Sequence, residues 1–313
     1  MDEIRKIAIL GAGALGAYYA SRFHAAGFET LFVAAGERGE SLRREGCNVN
    51  GENFRLPVMA GDTSPAPVDL VIVALKHHQL AEALPGLRPV VGPQTTILSV
   101  LNGLDSEAVI GSVFGAEKLL FCVAVGIDAV REGKMITVAN QGRLLFGEAH
   151  NEPPSLRVQR LQAACDRAGL AWETPVDMLR ALWWKFMVNV GVNQASAVLR
   201  APYGIFQRSD SAREVLRALM LEVIALAGAA GVDLTTADLG EWERVLARLA
   251  PEAKTSMLQD VEAGRKTEVE IFAGKVVELG LRYGIPTPAN RMMLYLLRVI
   301  ETSPELLLPP RAV

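Results

Sequence analysis

Three polar side chains stand four residues apart in Lys185-Phe-Met-Val-Asn189-Val-Gly-Val-Asn193, a segment otherwise built from Leu, Trp, Phe, Met and Val. At about 100° per residue, helix positions four and eight further on fall within one stripe, so an ammonium and two amides share a single apolar face. Burying such groups without partners costs several kcal/mol. Lys185 has no carboxylate three or four residues to either side, where Ala181, Leu182, Val188 and Asn189 stand. The pattern points to a ligand as the partner of these groups.

A second polar cluster follows, Ser256-Met-Leu-Gln-Asp260-Val-Glu262-Ala-Gly-Arg265-Lys-Thr-Glu268. Asp260, Glu262 and Arg265 can satisfy one another along helix faces, which makes them structural. Ser256 and Glu268 frame the segment and need another account.

Near the start, Gly11-Ala12-Gly13-Ala14-Leu15-Gly16 follows the apolar run Ile4 to Leu10 and leads into Ala14 to Ala25. Strand, tight turn and helix thus come in the order of a dinucleotide site: the first glycine turns, the second admits the pyrophosphate, the third packs helix on strand. Free amides at the helix start then hold the phosphates. The second strand ends in Val33-Ala34-Ala35-Gly36-Glu37-Arg38, without an acid directly after it to bind ribose hydroxyls. Arg38 can pair bidentately with a 2′-phosphate, with Arg43 and Arg44 nearby, which favours NADP(H) over NAD; the alternative for Glu37 and Arg38 is a solvated surface turn. Lys76 and Asn102-Gly103 sit at the carboxyl ends of two further strands, where open sheets bind ligands, although either could be a plain loop residue. His77 and His78 lack the spacing and the acidic or cysteine company of a metal site, so no metal is expected.

The elements that must position these residues fall into two groups. Over 1–176, short β-branched runs (Ile4 to Leu10, Thr30 to Val33, Leu70 to Ala74, Thr96 to Val100, Leu119 to Val125) alternate with helical stretches. This is the pattern of an α/β, Rossmann-like doubly wound sheet. Asn50-Gly51 predicts a hairpin within Cys47 to Ala60 that decorates the sheet rather than continuing it, and Gly133 and Gln141-Gly142 predict short strands around 135–147. Over 177–313, amphipathic stretches at 177–199, 209–230, 236–249, 257–283 and 288–301 predict an all-α domain, with stops at Gly231, Pro251 and Gly284 to Pro288.

A net charge of −3 gives no basic stripe for nucleic acid, and small molecules are the expected partners. Arg5 and Lys6 before the run Ile7 to Ala20 mimic a signal peptide, but glycines interrupt the run and it is too short to span a bilayer, so a cytoplasmic protein without a membrane segment is expected. Cys47, Cys122 and Cys165 are scattered and odd in number, as suits reduced thiols acting as small apolar residues. Helices such as Val215 to Ala230 allow a homodimer or a monomer.

With the glycine turn, Lys76, Asn102-Gly103, the Lys-x3-Asn-x3-Asn helix and the Ser256 to Glu268 segment in this order, the chain resembles the ketopantoate reductase family over nearly its whole length. The resemblance implies a Rossmann domain that holds NADPH and a helical domain that closes a cleft over a 2-keto acid, with reduction of ketopantoate to pantoate in pantothenate biosynthesis. It implies Lys185 as proton donor, Asn189 and Asn193 as substrate grips, and Ser256 at the substrate carboxylate. Glu268 would meet the nicotinamide end of the cofactor, while Lys76 and Asn102 would position cofactor and substrate. Hydride addition to a ketone pushes negative charge onto oxygen, and a positioned ammonium can both stabilise and protonate it. The chain departs from many relatives at Ala253, where asparagine is common, at Tyr203, at Ala35 in place of arginine, and at Gln194 in place of proline. These departures allow a different 2-keto acid while keeping the reaction type. The rivals are a 3-hydroxyacid dehydrogenase of similar build and an NADP-binding regulator without turnover.

Overall fold

The structure, a computed structural model, describes residues 3–60 and 66–302. It divides into two compact units, Met1–Leu182 and Trp183–Val313. The strands of the first unit are β1 Lys6–Leu10, β2 Glu29–Val33, β3 Cys47–Val49, β4 Glu52–Phe54, β5 Val58–Met59, β6 Leu70–Val73, β7 Thr96–Ser99, β8 Leu119–Glu132, β9 Met135–Gly147 and β10 Trp172–Glu173. They order as β4-β3-β9-β8-β7-β6-β1-β2-β5, with β10 paired to β9. Between them run α1 Ala14–Ala25, α2 Gly36–Glu45, α3 His77–Ala83, α4 Ser106–Phe114 and α5 Leu156–Ala168.

The central strands read as unbroken apolar runs because both faces are covered. Along β1, Ile7 and Ile9 join one core with Tyr19 and Phe23 of α1 and Leu161 of α5, while Ala8 and Leu10 join the opposite core with Leu80 of α3 and Ile110 of α4. β6 alternates the same way, with Leu70 and Ile72 on the first side and Val71 and Val73 on the second. Each such buried Leu or Ile contributes roughly 1.5–3 kcal/mol.

Two expectations about the sheet are corrected. The Asn50-Gly51 hairpin forms, with Cys47 opposite Phe54, but β3 also pairs in parallel with β9 (Asn48 with Met135), so the hairpin extends the sheet instead of decorating it. The region 135–147 is one long strand antiparallel to β8, bulged at Asp128/Ala129, and not a set of short strands.

The second unit takes up the chain within α6 Met178–Val188 and continues through a π-helical turn Asn189–Asn193 into α7 Gln194–Leu199. It adds α8 Tyr203–Arg208, α9 Asp210–Ala229, α10 Thr236–Leu246, α11 Ser256–Glu262, α12 Ala273–Tyr283 and α13 Pro288–Thr302. The single helix expected over 257–283 is broken at Ala263 and Gly264, where the Arg265 N–H turns back to the Asp260 carbonyl at 2.8 Å. Helix α9 buries Leu216, Leu219, Met220, Val223 and Leu226 within the chain itself, so its apolar face is already satisfied without a second copy. Among the described residues, no helix is long and apolar enough to cross a membrane.

Candidate functional site

The glycine turn is built as the motif requires. Gly11 leaves β1 at φ +99°, and an added Cβ there would stand 2.6 Å from the Ala74 carbonyl oxygen. A Cβ on Gly16 would fall 1.8 Å from the Gly11 carbonyl oxygen, so α1 can pack this closely on β1 only with glycine at that position. At Gly13, by contrast, nothing lies nearer than the Ala74 oxygen at 4.0 Å, which keeps an open side for a pyrophosphate. Ala12 is buried, Ala14 and Leu15 are half-buried, and no acidic residue enters the first turn of α1 to occupy its free amides. These residues fit a dinucleotide.

Arg38 lies in the first turn of α2, and its guanidinium donates to the Ala12 carbonyl at 2.6 Å. The residue expected at a ribose phosphate thus touches the glycine turn itself. Burial, and next to it the charge of Arg131, lowers the Arg38 pKa below the ordinary arginine value. Ala35 is exposed at the N-cap of α2. Lys76 caps α3 directly after β6, its own N–H reaching Gln79 Oε1 at 3.4 Å. Asn102 follows β7 in a turn completed by Gly103 at φ +95°. Since β2, β1, β6 and β7 are neighbours and parallel, Arg38, the glycine turn, Lys76 and Asn102 come together along one edge of the sheet, at the carboxyl ends of its strands.

In the second unit, Lys185 lies in the last turn of α6, and Asn189 and Asn193 open and close the π-helical turn. Both asparagines are buried, at 4% and 6% exposure, and Lys185 is half-buried. Widening one turn offsets the drift that positions four apart accumulate in an α-helix, so the three groups line up more closely than sequence spacing alone implied. The widened turn packs on α9 so tightly that a Cβ on Gly191 would meet Met220 Cε at 2.4 Å. Burial lowers the pKa of the Lys185 ammonium, and the Glu268 carboxylate opposes that shift. The structure therefore brings Lys185 and Glu268 within electrostatic reach of each other.

Ser256 is exposed at the first position of α11, where Thr255 Oγ1 caps the helix by accepting from the Leu258 N–H at 3.2 Å. Asp260 and Arg265 pair at 2.8 Å as expected, but Glu262 pairs with Lys254 at 2.9 Å rather than with either of them.

Gln194, noticed in the sequence as a departure, has a structural role. Fully buried, its amide donates to the Val190 carbonyl at 2.7 Å and to Asn290 Oδ1 at 3.1 Å, while its oxygen accepts from the Ala273 N–H at 3.1 Å. It ties the π-helical turn to the starts of α12 and α13. Trp184, beside the lysine, carries a buried indole N–H without a partner. All three cysteines are buried free thiols, and among the described residues no group of His, Cys, Asp and Glu assembles a metal site.

Comparison with known proteins covers both halves. Residues 7–151 match the model of the family "Ketopantoate reductase PanE/ApbA", and residues 177–301 match its C-terminal counterpart. A 2-dehydropantoate 2-reductase of Mesorhizobium japonicum is 30% identical over 319 aligned positions, covering 94% of this chain and 97% of that one. The crystal structure of 2-dehydropantoate 2-reductase from Geobacter metallireducens superposes with a TM-score of 0.82 at 32% identity, covering 94% and 99% of the two chains. A D-mandelate dehydrogenase bound to NADH and anilino(oxo)acetate shares the fold at a TM-score of 0.87 and 22% identity, covering 96% of this chain and 100% of that one.

Proposed function

The chain belongs to the ketopantoate reductase family, and on that premise we propose that it reduces a 2-keto acid, ketopantoate to pantoate in pantothenate biosynthesis, with NADPH as reductant and Lys185 as proton donor. The nicotinamide, when bound, supplies a hydride to the carbonyl carbon. The protein must then stabilise the negative charge that grows on the carbonyl oxygen and deliver a proton to it.

The observation that carries this reading is the Lys185 ammonium, half-buried in an apolar helix with its pKa lowered by burial and within electrostatic reach of Glu268. A lowered pKa makes the lysine a readier acid, while the Glu268 carboxylate favours its charged form. Asn189 and Asn193 present amides one and two turns further along, where they hold the polar atoms of the acid. Ser256, at the start of α11, offers a hydroxyl to the substrate carboxylate. In the first unit, the residues Gly11 to Gly16 receive the pyrophosphate, Arg38 the 2′-phosphate, and Lys76 and Asn102 the nicotinamide-proximal part of the cofactor.

The departures at Tyr203 and Ala253 favour a second version of the same chemistry, in which another branched 2-keto acid is preferred, because these two residues are hydrogen-bonded to one another. Following reduced-nicotinamide absorbance with ketopantoate and a panel of branched 2-keto acids, each with NADPH and NADH, tests both. Turnover of ketopantoate with NADPH supports the first version; turnover confined to another acid supports the second. Binding of cofactor with no turnover of any acid sinks the enzymatic reading.

A further inference from the structure

Arg131 lies far from the glycine turn in sequence, near the end of β8, yet the register of the sheet brings it toward Arg38. It pairs with Ile136 across the β8–β9 ladder, and cross-strand partners share a face. Ile136 is 1% exposed and belongs to the core that also contains Leu42 of α2, so Arg131 leaves the sheet on the α2 side. The tip of the hairpin is fastened there: Lys134 Nζ lies 2.8 Å from Glu45 at the end of α2. Arg131 is close enough for its charge to depress the pKa of Arg38.

Two guanidiniums within electrostatic reach of each other repel, and at Arg38 the Glu45 carboxylate counters Arg131 with a weaker effect. Glu45 is engaged by Arg44 and Lys134, both at 2.8 Å. Among the described residues, no carboxylate lies within ion-pair distance of Arg38 or Arg131. Arg38 donates to Ala12, and Arg131 uses its Nε on the Gly133 carbonyl at 2.9 Å, which leaves its terminal amino groups for another acceptor. Planar forks of this kind match a phosphate bidentately. Arg38 stands in the first turn of α2 and in touch with the glycine turn, where a ribose 2′-phosphate arrives when a dinucleotide lies across the turn, and Arg131 stands on the α2 side of the sheet within electrostatic reach of it.

We propose that Arg131 is the second arm of an anion clamp that, with Arg38, grips the 2′-phosphate of the cofactor, so that the β8–β9 hairpin takes part in selecting NADPH over NADH. This rests on the NADPH reading above. It gives a share in the choice of cofactor to a segment remote in sequence from the β2–α2 turn, where Ala35 stands and Arg38 follows three residues later.

Arg131 is exposed, so Arg131→Gln is expected to fold with an unchanged Tm. Dissociation constants are measured by fluorescence titration for NADPH and NADH, and by calorimetry for the fragments 2′,5′-ADP and 5′-AMP. Arg131→Gln is expected to weaken NADPH and 2′,5′-ADP by about tenfold or more, the scale of one charge-assisted contact, while NADH and 5′-AMP stay within about twofold. Arg131→Lys recovers part of the loss. Equal weakening of phosphorylated and unphosphorylated ligands, or none, overturns the clamp. If wild-type protein binds NADH as tightly as NADPH, the cofactor reading itself falls; if it prefers NADPH and Arg131→Gln changes nothing, the inference alone falls.

Discussion

The backbone N–H of Tyr203 donates to the carbonyl of Ala253 at 3.1 Å, and the next residue, Gly204, donates to the Pro251 carbonyl at 2.7 Å. The start of α8 is thereby laminated onto the loop that leads to Ser256. Tyr203 and Ala253, the two positions on which the proposed choice of substrate turns, are thereby joined backbone to backbone.

Selectivity among 2-keto acids is expected to move with that pair. Introducing an amide by Ala253→Asn should shift kcat/KM between ketopantoate and bulkier branched acids by about tenfold, mainly through KM, because a grip on the acid acts before and during hydride transfer alike. An identical ranking of acids in Ala253→Asn and wild type, measured by initial rates, would place substrate choice elsewhere.

Removing the ammonium with Lys185→Ala should cost roughly 10²-fold or more in kcat with cofactor affinity intact. The pH profile carries a sharper test. With Lys185 as the proposed proton donor working in its charged form, kcat is expected to fall as pH rises through the lysine pKa, which burial sets below the ordinary value and Glu268 partly restores. Glu268→Gln removes that opposing term and should move the alkaline limb to lower pH. A limb that stays put or moves upward contradicts the coupling.

Gly16→Ala places a methyl where the Gly11 carbonyl oxygen already stands. Helix α1 must back away from β1, at a cost of about 1–3 kcal/mol typical of overpacking. Thermal unfolding should show the loss, and NADPH titration should show weaker binding because the amides at the helix start move with the helix.

Glu107, half-buried in the first turn of α4, takes a hydrogen bond from Ser106 Oγ at 2.9 Å, and Ser106 in turn meets Ser99 Oγ at 2.8 Å. Burial raises its carboxyl pKa to about 6, against the stabilising pull of Ser106 and of the backbone of Glu107 and Cys122. A folded-state pKa above the unfolded value means the native protein binds the extra proton, so stability declines as pH rises from about 4.5 to about 6. The full difference is about 2 kcal/mol as an order of magnitude. Denaturant midpoints across this window should lose that slope in Glu107→Gln; an unchanged slope would assign it to other groups.

Much of this architecture is legible in the residues because the physics is local. Strands covered on both faces, as β1 and β6 are, must be continuous apolar runs, and the glycine turn states its own geometry. Lys185 betrays itself by being charged in apolar company. What could not be read depends on partners remote in sequence. Gln194 makes sense only with Asn290 and Ala273 beside it. Arg131 acquires its direction from the register of two long strands, and the hairpin at Asn50-Gly51 joins the sheet because β9 offers an open edge. The helix expected across 257–283 failed at Gly264, where amphipathic periodicity on both sides concealed a turn.

The π-helical turn between Asn189 and Asn193 has a consequence for tolerance to length change. It takes up one more residue than an ordinary turn, so a single deletion there lets the coil rewind to an ordinary α-helix while the side chains beyond it keep their direction. A second deletion has no widened turn to draw on: every later side chain would swing by about 100° around the axis, Gln194 would leave its socket, and α7 would present a foreign face to α11 and α13. The stretch therefore holds a reserve of one residue, which an ordinary helix of the same length lacks.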